Sequence, residues 1–367
     1  MSDTPRFVAE LIAAAPLALQ APPLDRVDCN TSVHVHADRT YAFVSFHVPI
    51  GHAYRRVGPA SDSTGDVGIA GLGAPQAVRL LDDPDPTVGK WIEATWRAPD
   101  GRLYGWYHAE ERIESKTAPF VPHIGALRSD DDGLSWNVLG EVLRAPPGQV
   151  NPQSGNGFMA GGYGDFSVVP DRDGLYFHLL FSSYVADQDA QGVCAARCPM
   201  ALRDTPRFEV WSGGTWRSAG DALPTPLWPV VRSWHETYPD SFWGPSVHFN
   251  RDLGVYVMLL SHSAGPYSGF HSAANAVSFN ATPERPDAWS APLRIVEGGG
   301  WYPQVVGLGA TDGDTLAGAE ARLFISGLSA WHIRFRQARD AADVPTPTKL
   351  PRADMIALGE SLGAKGA

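Results

Sequence analysis

Cysteine is scarce in this chain of 367 residues: only Cys29, Cys194 and Cys198 occur. The last two form C-x3-C without the companion ligands of a zinc site, so they read as structural. Basic charge is also short. Twenty-nine Lys and Arg against 40 Asp and Glu leave a net charge of -11 and a pI near 5.5. With no Lys/Arg-rich block, this balance argues against nucleic acid as a partner. Long apolar runs are missing too. The stretch from Phe7 to Leu19 is broken by Glu10 and Pro16 and lacks a basic start. It is a poor signal peptide and too short to span a bilayer, so no membrane partner is expected. It reads as a short helix, Val8 to Ala15, stopped by Pro16. A cytoplasmic location is the default expectation, and a periplasmic or secreted one if a leader has been removed. No phosphate-cradling glycine loop, G-x-S-x-G elbow or H-E-x-x-H zinc helix occurs. Sustained 3.6-residue apolar periodicity is nearly absent between residues 27 and 337.

What the chain does contain is a substantial apolar fraction, 44%, which suits a globular protein with a large core. Twelve tryptophans and eleven tyrosines leave aromatic surface for stacking on a flat neutral ligand, although most of them should pack the core. It also contains a repeated phrase. Glu93 to Tyr104, Asp165 to Tyr176 and Pro245 to Tyr256 each read as a short strand, a polar turn with Asp or Gly, and a second strand opening on Tyr. Asn30 to Tyr41 fits the same frame, and Pro303-Gln-Val-Val-Gly starts a weaker fifth copy. Matching second halves follow, for example His123 to Trp136 and Ala274 to Trp289. Four strands per unit, in five units at 58–80-residue spacing, predict an all-β, five-bladed β-propeller with a short N-terminal helical extension. The expected organisation is an N-terminal extension over 1–26, the propeller over 27–337, and a C-terminal tail over 338–367 packing on it. Ser129-Asp-Asp-Asp-Gly-Leu-Ser-Trp136 resembles the Asp-box of sialidase-type propellers: a tight turn whose Trp plugs the blade core.

In a propeller, the starts of the innermost strands gather at one mouth of the central channel. The frame puts Asn30, Glu93, Asp165 and Pro245 there, with Asp28 two residues before Asn30. Three carboxylates from separate blades suit glycosidic cleavage: one protonated to help the leaving oxygen depart, another activating water or attacking the anomeric carbon. Asp28, Glu93 and Asp165 are therefore the catalytic candidates. Tyr302 and Gln304 close the ring as substrate-binding candidates, together with Asn30. The glycine-rich entry Asn156 to Asp165 permits close ligand approach and brings Tyr163 with it. Trp243 offers a sugar-stacking face, Glu236 is a polar rim candidate, and His248 could act as an acid. His34 and His36 have the i,i+2 spacing of metal ligands but lack a clear third ligand, so a metal site stays unknown. No organic cofactor is expected; a structural calcium or other channel ion would be compatible. Arg56, Arg128 and Arg197 recur at third-strand positions, where they could make inter-blade contacts or clamp a carboxylated sugar.

Glu93, Asp165, the phrase Phe242-Trp-Gly-Pro-Ser-Val247 and the repeated strand–Asp-Gly–Leu–Tyr pattern resemble the five-bladed furanosidase propellers, the arabinanase/xylosidase and invertase/levansucrase group. The resemblance covers roughly 27–337. It implies a carbohydrate substrate, possible furanoside specificity such as arabinan, and three acidic residues from the first three blades. By position these are Asp28, Glu93 and Asp165. Those families commonly carry Asp, Asp and Glu in that order, and often a Glu where Trp243 stands here. The other readings open at this stage are a non-catalytic carbohydrate-binding propeller and a polysaccharide lyase. The oligomeric state has no signal in the sequence.

Overall fold

A computed structural model describes residues 6–21, 26–47, 51–60 and 68–363. The outer parts of both terminal segments lie outside the described residues. The chain folds into five mostly antiparallel sheets in a propeller-like arrangement. The first is built from Ser32–His36, Arg39–Phe46, His52–Pro59 and Gln76–Ala77. The second runs through Lys90–Arg97, Leu103–Arg112, Phe120–Ser129 and Ser135–Leu143, with Arg79–Leu81 added in parallel at its outer edge. The third opens with Tyr163–Pro170 and Tyr176–Ser183, and the fourth with Ser241–Asn250 and Val255–Ser263. The last contains Gln304–Gly307, Glu320–Ile325 and Leu328–Gln337.

The expected N-terminal helix is replaced by a strand, Phe7–Ala18, paired antiparallel with Leu328–Gln337. Local alanine content favours a helix, but the open edge of the last sheet offers a row of unpaired backbone groups. Docking there buries Phe7, Val8 and Ala9 against the core. Pro16, which has no N–H to donate, sits where the pairing shifts register between Ala13 and Leu17. At the other end, Thr348–Leu350 adds in parallel to Leu293–Gly298, and the helix Arg352–Ser361 follows. No helix among the described residues is long and apolar enough to cross a membrane.

The Asp-box forms the turn its residue types dictate. Asp131 accepts hydrogen bonds from the Ser135 N–H and from the hydroxyls of Ser129 and Ser135. Gly133 takes φ +82°, and Trp136 is fully buried, edge-on to Phe43 of the neighbouring sheet at 5.5 Å. Hydrogen bonds also join the inner strands around the ring. Ser32 Oγ accepts from the Thr95 N–H, Glu93 from the Phe166 N–H, Ser167 Oγ from the Val247 N–H, and Gln304 from the Thr31 N–H.

Candidate active site

The repeated frame has a structural meaning beyond strand phase. Pairing of the inner strand with its neighbour slips between Ile92 and Ala94, between Gly164 and Phe166, and between Trp243 and Ser246. Glu93, Asp165 and Gly244-Pro245 therefore each sit at a β-bulge, a device that re-aims a side chain and frees backbone groups from the ladder. Asp165 adopts φ +43° and Gly244 φ +58°. Left-handed backbone is uncommon outside glycine, though Asp tolerates it better than most residues. The freed groups are used across the ring. The Phe166 N–H donates to Glu93 Oε2 at 3.0 Å, while Asn30 Nδ2 donates to the carbonyls of Phe166 and Pro245 at 2.9 and 2.8 Å.

Above these bulges lies a cleft of about 230 Å³ lined by Asp28, His47, Trp91, His108, Glu110, Asp165, Trp243, Trp301 and Tyr302, with Phe120, Phe158, Met159 and Phe270 on its apolar side. Asp28 is held by its backbone N–H on the Ser45 carbonyl at 3.1 Å, and its Oδ2 meets His47 Nδ1 at 3.1 Å. Asp165 receives hydroxyl hydrogen bonds from Tyr302, at 3.0 Å, and from Tyr184. Its carboxyl is pushed up to about 6, chiefly by burial; Glu93 adds to the rise, while His108 and the two tyrosines oppose it.

Glu93 does not line the cleft. It is 1% exposed and lies behind His108, whose Nδ1 it meets. Burial raises its pKa, against the backbone N–H groups of Phe166 and Asn30. His108 stacks on Trp91 at 4.7 Å, and its Nε2 lies 3.8 Å from Glu110 Oε1. Glu110 was not among the sequence candidates. Its carboxyl is held up to about 8, first by burial and then by the charges of Asp28, Asp165 and Glu93, with His108 opposing. At neutral pH it is therefore mainly a proton-bearing acid in the cleft wall. The signal for it was weak: His108 and Glu110 share one face of Leu103–Arg112, at the far end of a second strand rather than at the start of an inner one.

The other sequence candidates fall as follows. Tyr302 lines the cleft. Asn30 is buried beneath it as the cross-brace described above, and Gln304 is buried with both amide atoms on the Thr31 backbone. Trp243 touches the cleft but is 1% exposed, its indole N–H on Ser263 and its ring packed edge-on against Phe270 and Tyr302. It offers no open stacking face; Phe158, 42% exposed, is the open aromatic of the cleft. Tyr163 is buried against Phe181 at 5.0 Å, and His248 is buried 5.3 Å from Phe335, both away from the cleft lining. Apolar burial drives the His248 pKa down to about 3, which removes it as an acid. Glu236 is exposed and outside the cleft lining. His34 is half-buried, with Nδ1 3.2 Å from Thr95 Oγ1, whereas His36 is exposed. Arg56 donates to the carbonyls of Leu19, Leu72 and Gly73; Arg128 meets Asp204 at 3.4 Å and Arg197 meets Glu209 at 2.8 Å. None of the three arginines lines the cleft.

With this geometry in place, solved structures can be compared. An exo-β-1,3-galactanase from Phanerochaete chrysosporium, in complex with β-1,3-galactotriose, superposes with a TM-score of 0.50 at 13% identity, over 92% of this chain and 67% of that one. The chain has that galactanase's fold. A Bacillus subtilis arabinanase gives 0.47 at 11% identity, over 88% of this chain and 98% of its own. A family-43 endo-arabinanase from Bacillus licheniformis gives 0.48 at 14%, over 88% and 98%. No family model matches the sequence, and no curated protein matches it significantly.

Proposed function

We propose that this protein is a glycoside hydrolase whose five sheets are the blades of one propeller over 27–337, with the N-terminal strand and the C-terminal segment packed on it. The observation that carries the reading is a single cleft lined by Asp28, Asp165 and the proton-bearing Glu110. Glycosidic cleavage needs a carboxylic acid to protonate the departing oxygen and a second carboxylate on the opposite side of the sugar. Glu110 supplies the proton. Asp28 activates water or attacks the anomeric carbon. Asp165, oriented by Tyr184 and Tyr302, positions the sugar and, through its charge, helps hold the Glu110 proton in place. Glu93 acts through His108 as a positioning residue.

The cleft is walled mainly by carboxylates and aromatic rings, with Arg26 its sole Lys or Arg among the described residues. That favours a neutral sugar over a uronate, since an acidic ring would meet like charge. Furanosides such as arabinan, and β-1,3-galactans, are the first substrates to test. The assay is reducing-sugar release from a panel of polysaccharides and aryl glycosides. Asp28→Asn, Glu110→Gln and Asp165→Asn should each lower the rate by roughly 10²–10⁴-fold with folding intact. Activity that survives all three changes would place the chemistry elsewhere. No release from any substrate, with sugar binding retained, would favour a carbohydrate-binding propeller.

A further inference from the structure

Two clusters outside the cleft bring a histidine and two carboxylates within 4.8 Å of one another. In one, Glu111, His123 and Glu141, a cation is already present: Arg144 donates to both carboxylates and lies 3.2 Å from His123 Nδ1. The other consists of Asp171, His178 and Glu284. Neither of its carboxylates pairs with a lysine or arginine among the described residues. His178 is 2% exposed, and its Nε2 is buried without a hydrogen-bond partner. That nitrogen points at Glu284 Oε1, 3.7 Å away and too far for a hydrogen bond.

We propose that Asp171, His178 and Glu284 bind one divalent cation of the zinc class, tying the third sheet to the fourth. Two ligands each about 2.1 Å from a tetrahedral zinc stand roughly 3.4 Å apart, close to the 3.7 Å between His178 Nε2 and Glu284 Oε1. A buried imidazole nitrogen without a partner is costly unless something occupies its lone pair. Asp171 follows the strand Tyr163–Pro170, and its two oxygens accept from the N–H groups of Leu175 and Tyr176 at 2.7 and 2.9 Å. This fixes the carboxylate while leaving each oxygen a second lone pair. His178 lies on Tyr176–Ser183, and Glu284 comes from the connection after Ser272–Asn280 of the next sheet. Arg197 lies opposite His178 on the neighbouring strand. Arg197 itself is held by Glu209 and stacked on Tyr176 and Trp216, at 4.6 and 4.5 Å. The imidazole selects zinc-like ions over calcium or magnesium, which prefer all-oxygen sets.

The test is equilibrium dialysis and calorimetry of the full chain with zinc after chelator treatment. The comparison is among wild type, Glu284→Gln, His178→Gln and the control Glu141→Gln. One zinc per chain is expected in wild type and the control. Affinity should fall by more than roughly 100-fold in the first two variants, beyond what loss of an outer-shell partner alone would cause. The melting temperature should rise with zinc only where the site is intact. Because the Glu284 side chain is part-exposed, at 41%, its variant reports on the site without emptying a packed core position. No zinc uptake, unchanged affinity in both variants, or a preference for calcium would overturn the proposal.

Discussion

Tyr302 donates its hydroxyl to Asp165 Oδ1 at 3.0 Å across 137 residues of sequence, joining the approach to the last sheet to the bulge of the third. Both groups are buried at the cleft, and the hydrogen bond favours the charged form of Asp165. Tyr302→Phe should therefore raise the Asp165 pKa above about 6 and move the acidic limb of the rate profile to higher pH. Tyr184→Phe should move it in the same direction. A pH–rate profile of each variant checks this; an unmoved limb would separate Asp165 from the reaction.

Glu110 should define the alkaline limb. An acid catalyst with a pKa near 8 loses its proton, and the enzyme its rate, as pH rises through that value. Glu110→Gln should abolish the limb along with most of the turnover. Aryl glycosides with good leaving groups, which need little proton assistance, should retain more activity in this variant than unactivated oligosaccharides.

Stability should fall on the alkaline side as well. Glu110 is raised from 4.5 to about 8, and Asp314 from 3.8 to about 7 by burial. Between the unfolded and folded values the native state binds more protons than the unfolded one, so stability decreases with rising pH. The contribution is complete below about pH 4 and is lost as pH passes 7 to 8. Melting temperature against pH should show this slope, and Glu110→Gln combined with Asp314→Asn should flatten it.

Trp136→Ala should cost about 3–5 kcal/mol, because the fully buried indole fills the space between the second sheet and Phe43 of the first. Denaturant unfolding measures the loss directly. A cost under about 1 kcal/mol would mean that the Asp-box turn holds without its plug.

The sheet architecture was legible because it is written locally: strand, polar turn and Tyr recur, and each copy specifies its own hairpin. The frame also located Glu93 and Asp165, since a bulge at one position of a repeated strand leaves a carboxylate in a repeated place. The N-terminal strand was not legible, because alanine-rich Phe7–Ala18 acquires its conformation from an edge formed more than 300 residues later. Nor was Glu110. A glutamate at a strand end has no local mark, and only the convergence of Asp28, Glu93 and Asp165 in a buried cleft turns it into an acid at neutral pH. The same holds for Trp243, whose aromatic character was visible but whose burial under Phe270 and Tyr302 was not. Short-range pattern determined the sheets and the ring of inner-strand positions. The proton affinities and the open faces of the site were decided by long-range desolvation and packing, which exist only once the sheets have closed on one another.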